Sequence, residues 1–256
     1  MIAFFILAVV AFFADVSAPL VVLSPVDAAL QSIEDAGDDL QAFTAAVAYR
    51  KDDALLGSKE LRVGTIVFDA RDQKPTRLAV DFDTRIVNRR RRQESKRIIF
   101  DGSWLVECDD ASKQFIKRQI VAPGDHADPM RLGGPFPLPI GQKRDEVLKR
   151  FTVTLISDAP DSFVVSKNDE RSPIGLRLVP HEGTIEALDW TTIELWYDQA
   201  TWWPIGVVAT EINGDARRIR LTGMKAHEQL PEQPASLLSI EEPGEGWSVD
   251  VRPWVD

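Results

Sequence analysis

A 256-residue chain that is 44% hydrophobic and 27% charged can bury a sizeable core, and it lies far from the composition of disordered chains. Its net charge of −10 argues against a nucleic-acid surface, which needs clustered Lys and Arg to neutralise phosphate. A single cysteine, Cys108, excludes an intramolecular disulfide, so the fold must live on its core.

In chain order, Met1 to Phe13 is almost wholly apolar, and Val16-Ser17-Ala18 follows with the small residues of a signal-peptidase site. Asp15, Ser17 and Pro19 interrupt the run before it reaches the ~20 residues of a spanning helix. An export signal is expected over 1–18, reaching to about residue 25, with 26–256 as one periplasmic domain. No cysteine sits just after this segment, so N-terminal lipidation is not expected and the exported chain reads as soluble. Ser24 as N-cap and Pro25 at the first helical position then open a helix with Val26, Ala29, Leu30 and Ile33 on one face.

From Phe43 the period changes to two. Ala46 to Arg50, Glu60 to Phe68, Thr76 to Asp83, Arg97 to Asp101, Trp104 to Asp109 and Gln114 to Val121 read as antiparallel strands, with a tight turn at Asp101-Gly102 and a longer one over Asp109 to Lys113. Ala122 to Gln142, with five prolines and three glycines among Pro123, Gly124, Pro129, Gly133, Gly134, Pro135, Pro137 and Pro139, is a long loop or lid leading to a short helix at Lys143 to Arg150. Strands resume at Phe151 to Ile156, Ser162 to Lys167, Ile174 to Pro180, Thr192 to Asp198, Pro204 to Glu211 and Ala216 to Met224, and Asn213-Gly214 turns the last hairpin. The tail from His227 is rich in Pro and Glu until Gly246 to Val251. About eleven or twelve antiparallel strands with two helices make a sandwich or a strongly curved sheet approaching a barrel.

Several stretches together resemble the bacterial periplasmic lipoprotein carrier (LolA/LolB-like) family. Phe43 is followed by Gly64-Thr65-Ile66-Val67-Phe68; Ile98-Ile99-Phe100-Asp101-Gly102 continues through Trp104, Val106, Asp109 and Gln114; Gly134 to Ile140 precedes a helix; and Ile240-Glu241-Glu242-Pro243 leads to Gly246, Trp247 and Val249. The resemblance implies an open, unclosed antiparallel β-barrel of about 11 strands with a helical lid over an apolar cavity for acyl chains. It also implies an arginine that holds the lid, for which Arg71 is the nearest position, although the family's following proline is absent. The partners implied are lipid or an acylated lipoprotein, with membrane-bound donor and acceptor proteins.

Candidate ligand-binding residues come from the central strands: Leu78, Val80, Phe82, Ile99, Trp104, Val106 and Phe115. A packed core is the competing reading of the same residues. Arg89, Arg90, Arg91 and Arg92, near Arg85, Lys96 and Arg97, read either as a solvated hairpin tip or as a docking patch for anionic head groups or an acidic partner. Trp196, Trp202 and Trp203 flank a turn and read as packing or as a lipid-contacting mouth.

Catalytic material is thin. His126, His181 and His227 have no second ligand at i+3 or i+4, and no nucleophile elbow or phosphate-cradling loop occurs. Asp81 and Asp83 read as solvated acids and Cys108 as a buried apolar thiol. Neither metal nor cofactor is expected. The chain reads as a non-enzymatic carrier, or alternatively as a periplasmic sensor or scaffold using the same fold to bind protein. The export reading predicts that N-terminal sequencing of the protein isolated from its cells finds a start close to Val26; intact Met1 in the membrane fraction would count against it.

Overall fold

The computed structural model describes residues 23–71, 75–125, 140–158, 160–166 and 169–255. Helix α1 (Pro25–Asp39) starts where the sequence places it, with the Ser24 hydroxyl accepting from the Asp27 amide at 3.1 Å. The strands are β1 (Ala42–Asp52), β2 (Lys59–Asp69), β3 (Arg77–Val87), β4 (Arg90–Phe100), β5 (Trp104–Asp109), β6 (Gln114–Gln119), β7 (Phe151–Ile156), β8 (Pro173–Pro180), β9 (Trp190–Asp198), β10 (Pro204–Glu211), β11 (Ala216–Ala226) and β12 (Ser248–Arg252). Helix α2 (Arg144–Arg150) precedes β7, a one-turn 3-10 helix (Glu186–Leu188) precedes β9, and a short α3 (Glu232–Ser236) follows β11.

All twelve strands form one sheet in the order β12-β6-β5-β4-β3-β2-β1-β11-β10-β9-β8-β7. Its two outer strands, β12 and β7, are not neighbours, so the barrel is unclosed. Every pairing is antiparallel except β12 with β6, which is parallel. Residues 162–166, read from sequence as a strand, instead form a turn around Asp161, whose carboxylate accepts from the Phe163 amide and whose carbonyl accepts from Val164 and Val165.

The pleat divides the sheet's side chains between two faces. The larger core gathers Phe43, Val47, Ile66, Phe68, Leu78, Val80, Phe82, Leu176, Leu178, Ile193, Leu195, Tyr197 and Leu221 with Ala29, Leu30 and Ile33 of α1 and Val147 of α2. This is the face that the helices cover. The other face carries two smaller cores. Ala42, Val67, Ala79, Ile99, Val106 and Phe115 lie under Leu230 and Leu238 of the C-terminal segment, while Val164 and Val165 cover Trp196, Ile205 and Val208.

Close strand approach depends on glycine at two places. A Cβ on Gly64 would lie 1.9 Å from the Asp81 carbonyl oxygen, beside the bulge where the β2/β3 register shifts. A Cβ on Gly37, at the end of α1, would lie 2.0 Å from the Cα of Gly141. We predict that Gly64→Ala destabilises the protein by about 2–3 kcal/mol, because backbone must move to admit the methyl group. Denaturant unfolding should show a lower midpoint with an unchanged slope; an unchanged midpoint would mean that the bulge is soft.

Candidate functional site

The helix-covered face is apolar from β4 across to β8. Phe43 stacks on Phe68 with ring centroids 5.2 Å apart, and Tyr49 tilts against Phe82 at 6.3 Å. Tyr197 is fully buried, and burial pushes its phenol well above the usual range, so it stays neutral. Helix α1 meets this face through Ala29, Leu30 and Ile33, with Val26 partly buried beside them. Its polar side is tied to α2: the Arg144 guanidinium donates to Asp27 Oδ1 at 2.9 Å, and the Arg144 amide donates to Glu34 Oε2 at 3.0 Å. Helix α2 is anchored in turn by Arg150, which donates to the buried Glu186 at 2.7 Å.

The sequence-derived lining residues fall on both faces. Leu78, Val80 and Phe82 lie together under the helices, whereas Ile99, Val106 and Phe115 lie on the opposite face beneath the C-terminal segment. Trp104 shares the register of Val106 and is half-buried, with the Lys117 ammonium 4.9 Å from its ring centroid. The seven therefore fall on two faces and do not line one cavity, which corrects their placement in a single site. The cause is register: Leu78 pairs with Phe100, and Phe100 with Leu105, so Phe100 and Leu105 share the face of Leu78. Phe43, Ile66, Leu176, Leu178 and Tyr197 share the face of Leu78, Val80 and Phe82 but were not among the sequence-derived candidates, because placing them there needs the β1–β11 pairing that joins the two halves of the chain.

Of the three tryptophans near the turn, Trp196 packs over Gly175 on the outer face. Trp202 and Trp203 are partly buried against the main core. Among the described residues, no group of three or more His, Cys, Asp or Glu is placed to hold a metal ion. His227 Nε2 lies 2.9 Å from Thr44 Oγ1, and His181 Nδ1 and Nε2 lie 3.1 and 3.2 Å from the Lys149 carbonyl and Thr152 hydroxyl. His126 and the Gly134-to-Pro139 stretch lie outside the described residues, as does the N-terminal apolar segment. Asp81 pairs with Arg97 at 3.5 Å, and Asp83 accepts from the Thr84 hydroxyl. Cys108 is half-buried, and burial raises its thiol pKa, which favours the unreactive form.

Arg71 donates to both carboxylate oxygens of the buried Asp69, at 2.8 and 3.2 Å, and to the Glu228 carbonyl at 2.8 Å. These contacts fasten the end of β2 to the segment after β11. Arg77 completes the cluster with a 2.7 Å bond to Asp69 Oδ2. Farther along the sheet, β3 and β4 run beyond the lengths read from sequence and meet in a two-residue turn. Asn88 (φ 52°) and Arg89 (φ 63°) occupy it with the positive φ pair of such hairpins. Arg90, Arg91 and Arg92 thus belong to β4 itself and stand exposed.

No protein-family model matches the chain, and no curated protein matches it. Solved structures resemble it distantly. An uncharacterized conserved protein from Thermus thermophilus is 11% identical, with 87% of this chain and 98% of that chain covered and a TM-score of 0.48. MucB in the Pseudomonas aeruginosa MucA/MucB complex is 12% identical over 84% of this chain and 61% of that one, with a TM-score of 0.45. A LolA superfamily protein from Nitrosomonas europaea is 13% identical over 80% and 96%, with a TM-score of 0.33. These are distant likenesses that assign no sequence family and no activity. None of the described helices is long and apolar enough to cross a membrane.

The Asp69 cluster makes stability depend on pH. Burial opposes ionisation of Asp69, but hydrogen bonds from Arg71 and Arg77 outweigh it and hold the carboxyl below its usual range. A depressed native pKa contributes stability above the unfolded value of about 3.9, and that contribution is lost as pH falls through the native value. Asp69→Asn should cost about 2–3 kcal/mol at neutral pH through lost charge-assisted bonds. The deficit should shrink as pH falls below about 4. Urea unfolding of both proteins across this range checks the sign; a deficit constant with pH would mean the charge is irrelevant.

Proposed function

We propose that this chain is an exported, periplasmic, non-enzymatic binding protein that takes an apolar ligand, lipid or the acyl chains of a lipoprotein, onto the helix-covered face of its open sheet. The observation that carries this reading is the way that face is closed. A single fifteen-residue helix, α1, meets a broad apolar sheet through three buried side chains and is tied to α2 by Arg144 at its polar side. Lifting α1 exposes Leu78, Val80 and Phe82 together with Phe43, Ile66 and Leu178. Ligand methylenes removed from water there gain about 25 cal/mol per Å². Arg71, through its bonds to Asp69 and the Glu228 carbonyl, holds the strand end against which such a movement works. Ile99, Trp104, Val106 and Phe115 drop out of this site, since they face the other way.

The second reading, a sensor or scaffold that binds protein, is favoured by one observation: Val80, Ile66, Leu178 and Tyr197 are fully buried as they stand. Two variants separate the readings. Val80→Asp puts a charge among the ligand's methylenes, so a carrier should keep its fold and bind a fluorescent fatty acid at least about tenfold more weakly. Collapse of the fold would instead mark a close-packed core. Arg144→Gln releases the tie between the helices and should speed probe uptake while leaving the thermal unfolding midpoint nearly unchanged. Wild-type protein that takes up no probe would sink the carrier reading.

A further inference from the structure

Antiparallel pairing brings the β1–β2, β3–β4, β5–β6, β8–β9 and β10–β11 connections to one end of the sheet. Three of these loops are joined to one another. The Ala54 amide donates to Asp215 Oδ1 at 2.9 Å, and the Ile212 amide donates to the Asp189 carbonyl at 3.1 Å. This linked rim carries five large aliphatic side chains turned to solvent: Leu55 (92% exposed), Leu56 (76%), Ile185 (69%), Leu188 (68%) and Ile212 (64%). Leu55 and Leu56 lie in the β1–β2 turn, Ile185 and Leu188 at the two ends of the 3-10 helix in the β8–β9 connection, and Ile212 in the β10–β11 turn.

Next to the β1–β2 loop, two strand spacings or roughly 10 Å along the sheet, stands the β3–β4 hairpin. Its exposed end gathers Arg89, Arg90, Arg91 and Arg92, and Arg85, Arg90 and Arg92 line a groove of about 520 Å³ with Val87 and Asn88. Arg85 is paired with Glu60 at 2.5 Å, and Arg91 donates to the Thr84 hydroxyl at 3.1 Å. Arg89, Arg90 and Arg92 form no ion pair among the described residues. The nearby carboxylates of the rim are largely spent within it. Asp53 accepts from the Leu56 amide, Asp215 from the Ala54 amide, and Glu60 holds Arg62 and Arg85. Glu182 and Asp189 remain exposed beside Ile185 and Leu188, farther from the arginines along the sheet, while on the hairpin's other side the exposed Asp110 of the β5–β6 connection accepts from the Ser95 hydroxyl.

We infer that this end of the molecule docks onto the surface of an anionic phospholipid bilayer, with the loop-tip aliphatics entering the interfacial region and the hairpin arginines gripping head-group phosphates. Separate protruding tips suit a fluid interface, which closes around each side chain, whereas a rigid protein partner would need a pocket for every tip. Guanidinium forks match phosphate oxygens in bidentate geometry. A protein of net charge −10 is repelled by an anionic surface in every orientation but the one that leads with its arginines, so the patch also sets the direction of approach. This inference stands independently of the apolar-ligand reading.

The test is sedimentation of the full chain with vesicles of phosphatidylcholine alone and of equimolar phosphatidylcholine and phosphatidylglycerol. Wild type should prefer the anionic vesicles, and the preference should weaken with salt. Arg90→Gln/Arg92→Gln should lower affinity for the anionic vesicles about 30-fold, at roughly fivefold per basic residue. Leu55→Ser/Leu56→Ser should lower affinity for both vesicle types by about tenfold or more. Thermal unfolding should be unchanged in both variants, because all four residues are exposed, and fatty-acid probe uptake should be as in wild type. Since the N-terminal apolar segment is present in every sample, variants that sediment like wild type would assign binding to that segment and overturn the inference. Wild type that sediments with neither vesicle would overturn it as well and leave the rim as a surface for protein.

Discussion

A sheet whose strands carry apolar side chains on both faces must hide both, and the whole architecture follows from that requirement. Closure would have left the outer face to solvent with polar side chains, as in a simple barrel. Here the pleat puts apolar residues on both sides of β3, with Leu78, Val80 and Phe82 against Ala79, so both need a cover. The chain supplies them from its non-strand segments. Helices α1 and α2 cover one face, while the segment following β11 and the turn at 162–166 cover the other. Ion pairs help to seat these covers: Arg144 with Asp27 joins α2 to α1, Arg71 with Asp69 lies where β2 meets the segment after β11, and Arg218 of β11 holds Asp161 at the turn as well as Asp52 of β1.

An open sheet also leaves two edges. Strand β12 closes one with only five residues, Ser248 to Arg252, and Pro253 follows at once and cannot donate to a further ladder. Its parallel pairing with β6 follows from the path of the chain, which crosses the outer face through α3 before returning to the starting end of β6. The Lys113 ammonium over the Trp247 ring, at 4.7 Å, fixes the point of return. At the other edge, β7 emerges directly from α2, and Arg150 at that junction is tied by its pair with the buried Glu186 to the 3-10 helix of the β8–β9 connection.

Most strands, their antiparallel pairing, α1 with its cap and α2 were legible from sequence, because period-two alternation, Ser24-Pro25 and the Asp101-Gly102 and Asn213-Gly214 turns are local signals; the choice of an unclosed barrel over a sandwich came only from the family resemblance. What failed depended on longer range. Alternation says that Val106 and Leu105 face opposite ways but not which faces the helices; that is decided by the pairing of Phe100 with Leu105. The apolar spacing of 162–167 resembles a strand, yet the Asp161 bonds and the cover it provides for Trp196 outweigh ladder formation. The β3–β4 arms were cut short because arginines are poor strand indicators, although Asn88-Arg89 can adopt the required turn. Exposure at loop tips, on which the docking rim rests, leaves no mark in the sequence, since Leu55 and Ile185 look like any other apolar residue.

On the proposed reading, the balance between α1 and a ligand is a competition between equals. Apolar burial is scored by area and does not distinguish Leu30 and Ile33 from the methylenes of an acyl chain. A ligand that displaced the helix would therefore recover much of what the helix surrendered. What remains to set the equilibrium is polar and local: the Arg144 contacts to Asp27 and Glu34, and the Gly37–Gly141 approach that seats the end of α1. Ion pairs that keep contact with water, as the partly exposed Arg144–Asp27 pair does, contribute little, so this cover is held by shape more than by charge. A closure of that kind keeps an empty apolar face hidden and still yields to a ligand of comparable apolar area, whereas a helix fastened by a larger stripe or a disulfide would have been a permanent wall.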